Sequence, residues 1–260
     1  MHTMTRSSQD SASWYLLSMR PANNHAALRR AVARHGGGLI ALSPWRLKHR
    51  DSPETRAALA SALTASTLVF TSPEAVRAAH ALQPLRTAPG QVWLCVGAST
   101  ARVLQHCGIA HVLHPTQMDS EGLLALLAQQ PPTEVGLITA PGGRGLLPQK
   151  LLERGIRLHR ADVYERQPLR LRTAALDALQ RTATRSMLAL SSAEALALLL
   201  PQWPEELRTI LYQRPVIAAS TRLEDLARAK GFTTVYRATG PLAHQLAATA
   251  AAFRPDKTAQ

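Results

Sequence analysis

Residues 68–76 read LVFTSPEAV and residues 188–196 read LALSSAEAL, so the chain carries one short pattern twice. A second pair follows the first: VGASTARVLQHCGI at 96–109 and IAASTRLEDLARAKGF at 217–232. The intervals nearly match, with 28 residues from Ser72 to Thr100 and 29 from Ser192 to Thr221. Two motif pairs at nearly equal spacing predict two copies of one structural unit. A further echo frames them. Residues 16–46 and 137–166 each run strand, polar turn, helix, glycine, strand, with SMRPANN as the first turn and TAPGGRG as the second.

Short apolar runs alternate with longer stretches at helical spacing. The predicted strands are 14–18, 67–70, 92–96, 111–113, 135–139, 187–190, 216–219 and 234–236. Helical patterns lie between them, among others at 74–80, 99–106, 121–128, 146–154, 193–200 and 222–229. Such alternation predicts an α/β protein with parallel sheets flanked by helices on both faces. The order short unit, long unit, short unit, long unit predicts two similar domains. The first is discontinuous, from residues 1–38 and 170–260; the second is 51–156; residues 39–50 and 157–169 form two linker strands. So thin a connection would permit domain motion.

The formal charge of +13, from 30 basic and 17 acidic residues, predicts attraction to an anionic partner. The arginines are dispersed, with no basic tail and no zinc-finger or aromatic RNA-binding signature, which argues against nucleic acid. Cys95 and Cys107 are the only cysteines, and no CxxC or HExxH occurs, so neither a disulfide nor a metal site is predicted. His111 and His114 could share a face, but two histidines without a third ligand are a weak metal signal. Residues 1–13 are polar without an apolar centre, which reads as a frayed leader rather than a secretory signal. No stretch reaches membrane-span length. A cytoplasmic protein with no membrane association is expected.

No GxSxG elbow, P-loop or dinucleotide fingerprint is present. Hydroxyl residues recur where strands give way to helices: Thr71-Ser72, Ser99-Thr100, Ser191-Ser192 and Ser220-Thr221. Serine and threonine cap helices. Capping is compatible with binding carboxylates, because a helix N-terminus also offers free N–H groups. Gly142 and Gly143 follow a strand and could present N–H groups to an anion or make a tight turn. Arg20, Arg144 and Arg166 lie near strand ends and could add charge-assisted hydrogen bonds. Gly36–Gly38 follow a helix and read as its stop.

TSPEAV after an apolar run, VGASTARVL, PTQMDSEGLL and ITAPGGRGLLPQKLLERGIRLHRADVYERQP together resemble the uroporphyrinogen-III synthase family. The resemblance extends from Trp14 to Ala251 and rests on motif order and spacing. It implies two α/β domains joined by a two-stranded linker, with the active site between them. It implies a lyase that cyclises hydroxymethylbilane, a linear tetrapyrrole with eight carboxylates. Water is lost, and the terminal pyrrole is inverted through a spiro intermediate. Residue by residue it implies substrate contacts at Thr71, Ser72, Gly97, Thr100, Ser191, Ser192 and Thr221. Tyr164 would assist departure of the substrate hydroxyl. Arg20, Gly143 and Arg144 complete the expected binding set. At Ala218 the sequence departs from the family, which often has glycine there. No cofactor is implied. The partners implied are the polycarboxylate tetrapyrrole and, transiently, the preceding bilane-forming enzyme. A monomer is expected. A non-catalytic two-lobed binder of an anionic small molecule is the alternative, because paired α/β lobes with a double crossing resemble hinged small-ligand binders; the basic excess serves these readings and a nucleic-acid-associated protein alike.

Overall fold

A computed structural model describes residues 12–142 and 145–254. Most of the expected leader, and both Gly143 and Arg144, lie outside the described residues. The chain divides into two compact units, residues 1–46 with 168–260 and residues 47–167.

The first unit contains a five-stranded parallel sheet. Its strands are β1 (Tyr15–Ser18), β2 (Gly38–Ala41), β9 (Ser186–Leu190), β10 (Val216–Ala218) and β11 (Val235–Arg237), in the order β11-β10-β9-β1-β2. β1 and β9 are buried along their whole length, as expected of central strands covered on both faces. Helices α1 (Ala26–Ala33), α7 (Thr173–Thr182), α8 (Ala193–Leu199), α9 (Glu205–Tyr212), α10 (Thr221–Ala229) and α11 (Ala243–Ala252) complete it, with α1 packed on α11.

The second unit contains a four-stranded parallel sheet in the order β5-β4-β6-β7. Its strands are β4 (Thr67–Phe70), β5 (Val92–Cys95), β6 (Glu134–Thr139) and β7 (Arg157–Asp162). Helices α2 (Pro53–Leu63), α3 (Pro73–Leu82), α4 (Ala98–His106), α5 (Ser120–Gln129) and α6 (Leu146–Glu153) cover it. Strand alternation divides its core. Leu68 and Phe70 join Leu59, Ala75 and Leu104 in one cluster. Val69 points the other way, to Leu123, Leu127, Leu147 and Leu151.

Two remaining strands, β3 (Trp45–His49) and β8 (Tyr164–Pro168), pair as a separate two-stranded sheet. The Leu169 N–H donates to the Pro44 carbonyl and the Arg50 N–H to the Val163 carbonyl. Partner numbers therefore run in opposite directions, and the pair is antiparallel. The linker expected over 39–50 and 157–169 is shorter in the structure. Residues 39–41 belong to β2 and pair with β1, and 157–162 form β7 and pair with β6. β7 misleads because it is an edge strand with charged, solvent-facing side chains, which reads like an exposed crossing. The strand expected at 111–113 reduces to an isolated bridge between Leu113 and Leu94.

Candidate functional site

Parallel strands deliver their following loops to one edge of a sheet, where α/β proteins bind ligands. In the second unit β4 leads into Thr71 and Ser72, β6 into Ala140–Gly142, and β7 through Val163 into Tyr164. Ser72 is extended (φ −162°, ψ 159°) and caps α3, its Oγ accepting from the Ala75 N–H at 3.1 Å. Pro73 opens the helix, which suits its fixed φ and missing N–H. The Tyr164 hydroxyl lies 3.1 Å from Ser72 Oγ, and Thr71 Oγ1 donates to Thr139 Oγ1 at 2.8 Å.

These residues line a pocket of about 210 Å³. Tyr164 is only 4% exposed, its ring built into the core cluster that holds Phe70 and Val163. Two arginines bring positive charge to the pocket. Arg160 is braced by Nε on Asp162 at 3.0 Å and by Nη2 on the Ala140 carbonyl at 3.3 Å. Arg166 places Nη1 3.8 Å from where a Cβ on Gly142 would stand. Gly142 itself turns at φ +84°, in the left-handed region that favours glycine. Arg160 and Ser120 line the pocket although the sequence did not single them out. Arg160 was hidden in an edge strand read as linker.

Gly97 and Thr100 line neither this pocket nor the one described below. Gly97, extended at φ −176°, is itself the N-cap of α4, without a side-chain cap. Ser99 and Thr100 therefore sit inside the first turn rather than capping it, and Thr100 is 2% exposed. A Cβ on Gly97 would stand 3.0 Å from Met118, so glycine lets the Met118 side chain close over the strand end. Cys95, just before, is buried, which pushes its thiol up to about 11 and leaves it inert as a nucleophile. Gly143 and Arg144 lie outside the described residues.

The first unit repeats the capping logic. Ser192 Oγ accepts from the Ala195 N–H at 3.2 Å, and Ser220 Oγ from the Leu223 N–H at 3.4 Å. Ser191 is exposed just after β9, and Thr221 Oγ1 accepts from Arg237 at 2.8 Å. Arg20 Nη2 donates to the Pro241 carbonyl at 3.3 Å, and burial pulls its guanidinium below the usual range. Ala218 lies within β10, fully buried and still strand, where its counterpart Gly97 has already left β5.

A pocket of about 330 Å³ opens in this unit beside His25, Arg29 and Ser43. His25 is 6% exposed and bridges two hydroxyls, Nδ1 to Ser18 Oγ at 2.9 Å and Nε2 to Ser43 Oγ at 2.8 Å. Burial first, then the Arg29 and Arg20 charges, lower it to about 4, so the ring is neutral. Nothing in the sequence marked His25 among ten histidines, because its partners lie 7 and 18 residues away. Among the described residues no group of three or more His, Cys, Asp or Glu side chains could hold a metal.

Residues 26–248 match the family model for uroporphyrinogen-III synthase HemD. Among solved structures, a mutant uroporphyrinogen III synthase from Thermus thermophilus aligns over 90% of this chain and 96% of its own. The identity is 20% and the TM-score 0.60. The uroporphyrinogen-III synthetase of Helicobacter pylori 26695 aligns over 93% of this chain and 99% of its own, with 19% identity and a TM-score of 0.59. The two structural likenesses establish a shared fold.

Proposed function

This chain belongs to the uroporphyrinogen-III synthase family, and on that premise we propose that the pocket at Tyr164 is where its reaction is carried out. The activity is that of a cyclising lyase in tetrapyrrole biosynthesis. Hydroxymethylbilane loses water, and the ring closes with its last pyrrole inverted through a spiro intermediate.

The observation that carries the site is the hydrogen bond between Tyr164 and Ser72 at the carboxyl edge of the sheet. Ser72 Oγ is already an acceptor for the Ala75 N–H. In this proposal Ser72 donates its own proton to the Tyr164 oxygen, which leaves the phenol proton free to point into the pocket. Such a chain polarises each bond in turn, strengthening the terminal donor. Tyr164 donates to the hydroxyl of the substrate as its C–O bond breaks. The departing group leaves as water, the carbon it leaves becomes a cation shared with the pyrrole nitrogen, and the phenolate recovers its proton from the one the substrate loses on ring closure.

Geometry, more than acid strength, is what the protein must supply, because unassisted closure gives the uninverted ring. Holding reacting ends in register is worth up to about 7–11 kcal/mol in well-oriented systems. In this proposal Arg160 and Arg166 hold carboxylate arms in the pocket, with Thr71 and Ser72 as hydroxyl partners. Gly97, Thr100, Gly143 and Arg144 remain proposed contacts of the same sheet. Arg20, Ser191, Ser192 and Thr221 are proposed carboxylate contacts at the strand ends of the other. A cytoplasmic setting and transient contact with the preceding bilane-forming enzyme belong to the same reading. Among the described residues no helix is long and apolar enough to cross a membrane.

Tyr164→Phe tests the assignment. Removing the hydroxyl should lower kcat at least tenfold while KM changes less than threefold, since the donor acts as the bond breaks. Unchanged kcat would remove Tyr164 from the mechanism.

A further inference from the structure

The 330 Å³ pocket of the first unit shares no lining residue with the pocket at Tyr164, and its chemistry is distinctly cationic. Arg29, Arg170 and Arg172 line it, and no aspartate or glutamate does. Among the described residues none of these three guanidiniums has a hydrogen-bonding or ion-pair partner. Three like charges bordering one concavity repel each other, an arrangement relieved by an anion.

The backbone adds donors. Ala26, the first residue of α1, lines the same pocket. The N-cap is His25, whose ring turns sideways to Ser18 and Ser43 and makes no capping bond. No acidic side chain sits in the first turn. The first N–H to find a partner is that of Arg29, on the His25 carbonyl. The N–H groups of Ala26, Ala27 and Leu28 stay unspent at the positive end of the helix. The histidine bridge ties this end to Ser18 at the end of β1 and to Ser43 in the segment just after β2. It thereby holds the helix donors in place before any ligand arrives.

We propose that this pocket is a second anion site, built for a small molecule or molecular arm carrying two or three carboxylate or phosphate charges. Planar guanidinium forks match such oxyanions in paired hydrogen bonds. The volume is at the lower end of small-molecule sites, which suits a compact polyanion.

The test titrates three probes by calorimetry or fluorescence: citrate, inorganic pyrophosphate and uroporphyrin III, the oxidised cyclic product. It compares wild type with Arg170→Gln/Arg172→Gln and with a charge-matched control, Arg86→Gln/Lys230→Gln, whose residues are exposed and away from both pockets. The affinity of at least one probe should fall tenfold or more in the pocket variant and less than threefold in the control. If uroporphyrin III is weakened and citrate competes with it, the site takes an arm of the tetrapyrrole. If only citrate or pyrophosphate is weakened, it takes a separate small anion. Equal affinities in all three proteins, or no binding of any probe by wild type, would overturn the proposal. Isomer III formation is measured on the same preparations. Variant-sensitive anion binding without isomer III would sink the synthase reading and leave the anion site standing.

Discussion

His25 ties its part of the molecule to pH. Its folded-state value of about 4 lies below the ordinary 6.5, so protonation favours the unfolded chain. Its contribution is complete above about pH 6.5 and is lost as pH falls toward 4. The loss approaches about 3 kcal/mol, because each tenfold weakening of proton binding in the folded state is worth about 1.36 kcal/mol. Urea midpoints measured between pH 7 and pH 4 should fall in this window. His25→Gln should start lower at pH 7, having lost part of the Ser18–Ser43 bridge, and should fall less steeply. Parallel pH slopes in the two proteins would show that His25 titrates as freely folded as unfolded. At the same scale, the Gly97-to-Ala218 difference between the copies has a structural account. Gly97 must admit Met118, whereas Ala218 lies inside a strand, where a methyl group is accommodated.

Elements were legible wherever local pattern and tertiary role agreed. TSPEAV announced α3 because a serine cap, a proline at the first position and a glutamate in the first turn all act within the element itself. The polar β7 was not legible as a sheet strand, because what makes it one is its pairing to β6, a contact with a distant segment. Residues 111–113 failed in the opposite sense, since β-prone residues there reach only one bridge. Packing between elements was equally silent. Gly136 interrupts an apolar run in β6, and a Cβ there would be driven into the Ala62 carbonyl oxygen of α2. Glycine lets that helix lie close on the sheet. Gly136→Ala should therefore lower the stability of the second unit by about 1–3 kcal/mol, read from its denaturation midpoint. A loss below about 0.5 kcal/mol would mean that α2 moves aside freely.

At the scale of the whole molecule, the duplicated motif pairs foretold two parallel-sheet units, and each unit has its own sheet and its own pocket. The candidate site was legible at Thr71, Ser72 and Tyr164, which span 92 residues or slightly more in sequence and which the fold brings to one pocket, Ser72 and Tyr164 within hydrogen-bonding reach. Arg160, Ser120 and the His25 pocket were not, because their significance lies in which strand ends they share. The net charge of +13 now has local expression, in arginines that line both pockets. The proposed reaction at Tyr164 rests on one outcome. Freshly made hydroxymethylbilane would be mixed with the purified protein, the products oxidised, and the ring isomers separated chromatographically. Isomer III should predominate and form faster than in the unassisted ring closure. Isomer I alone, at the rate seen without protein, would mean that the chain does not direct the ring inversion.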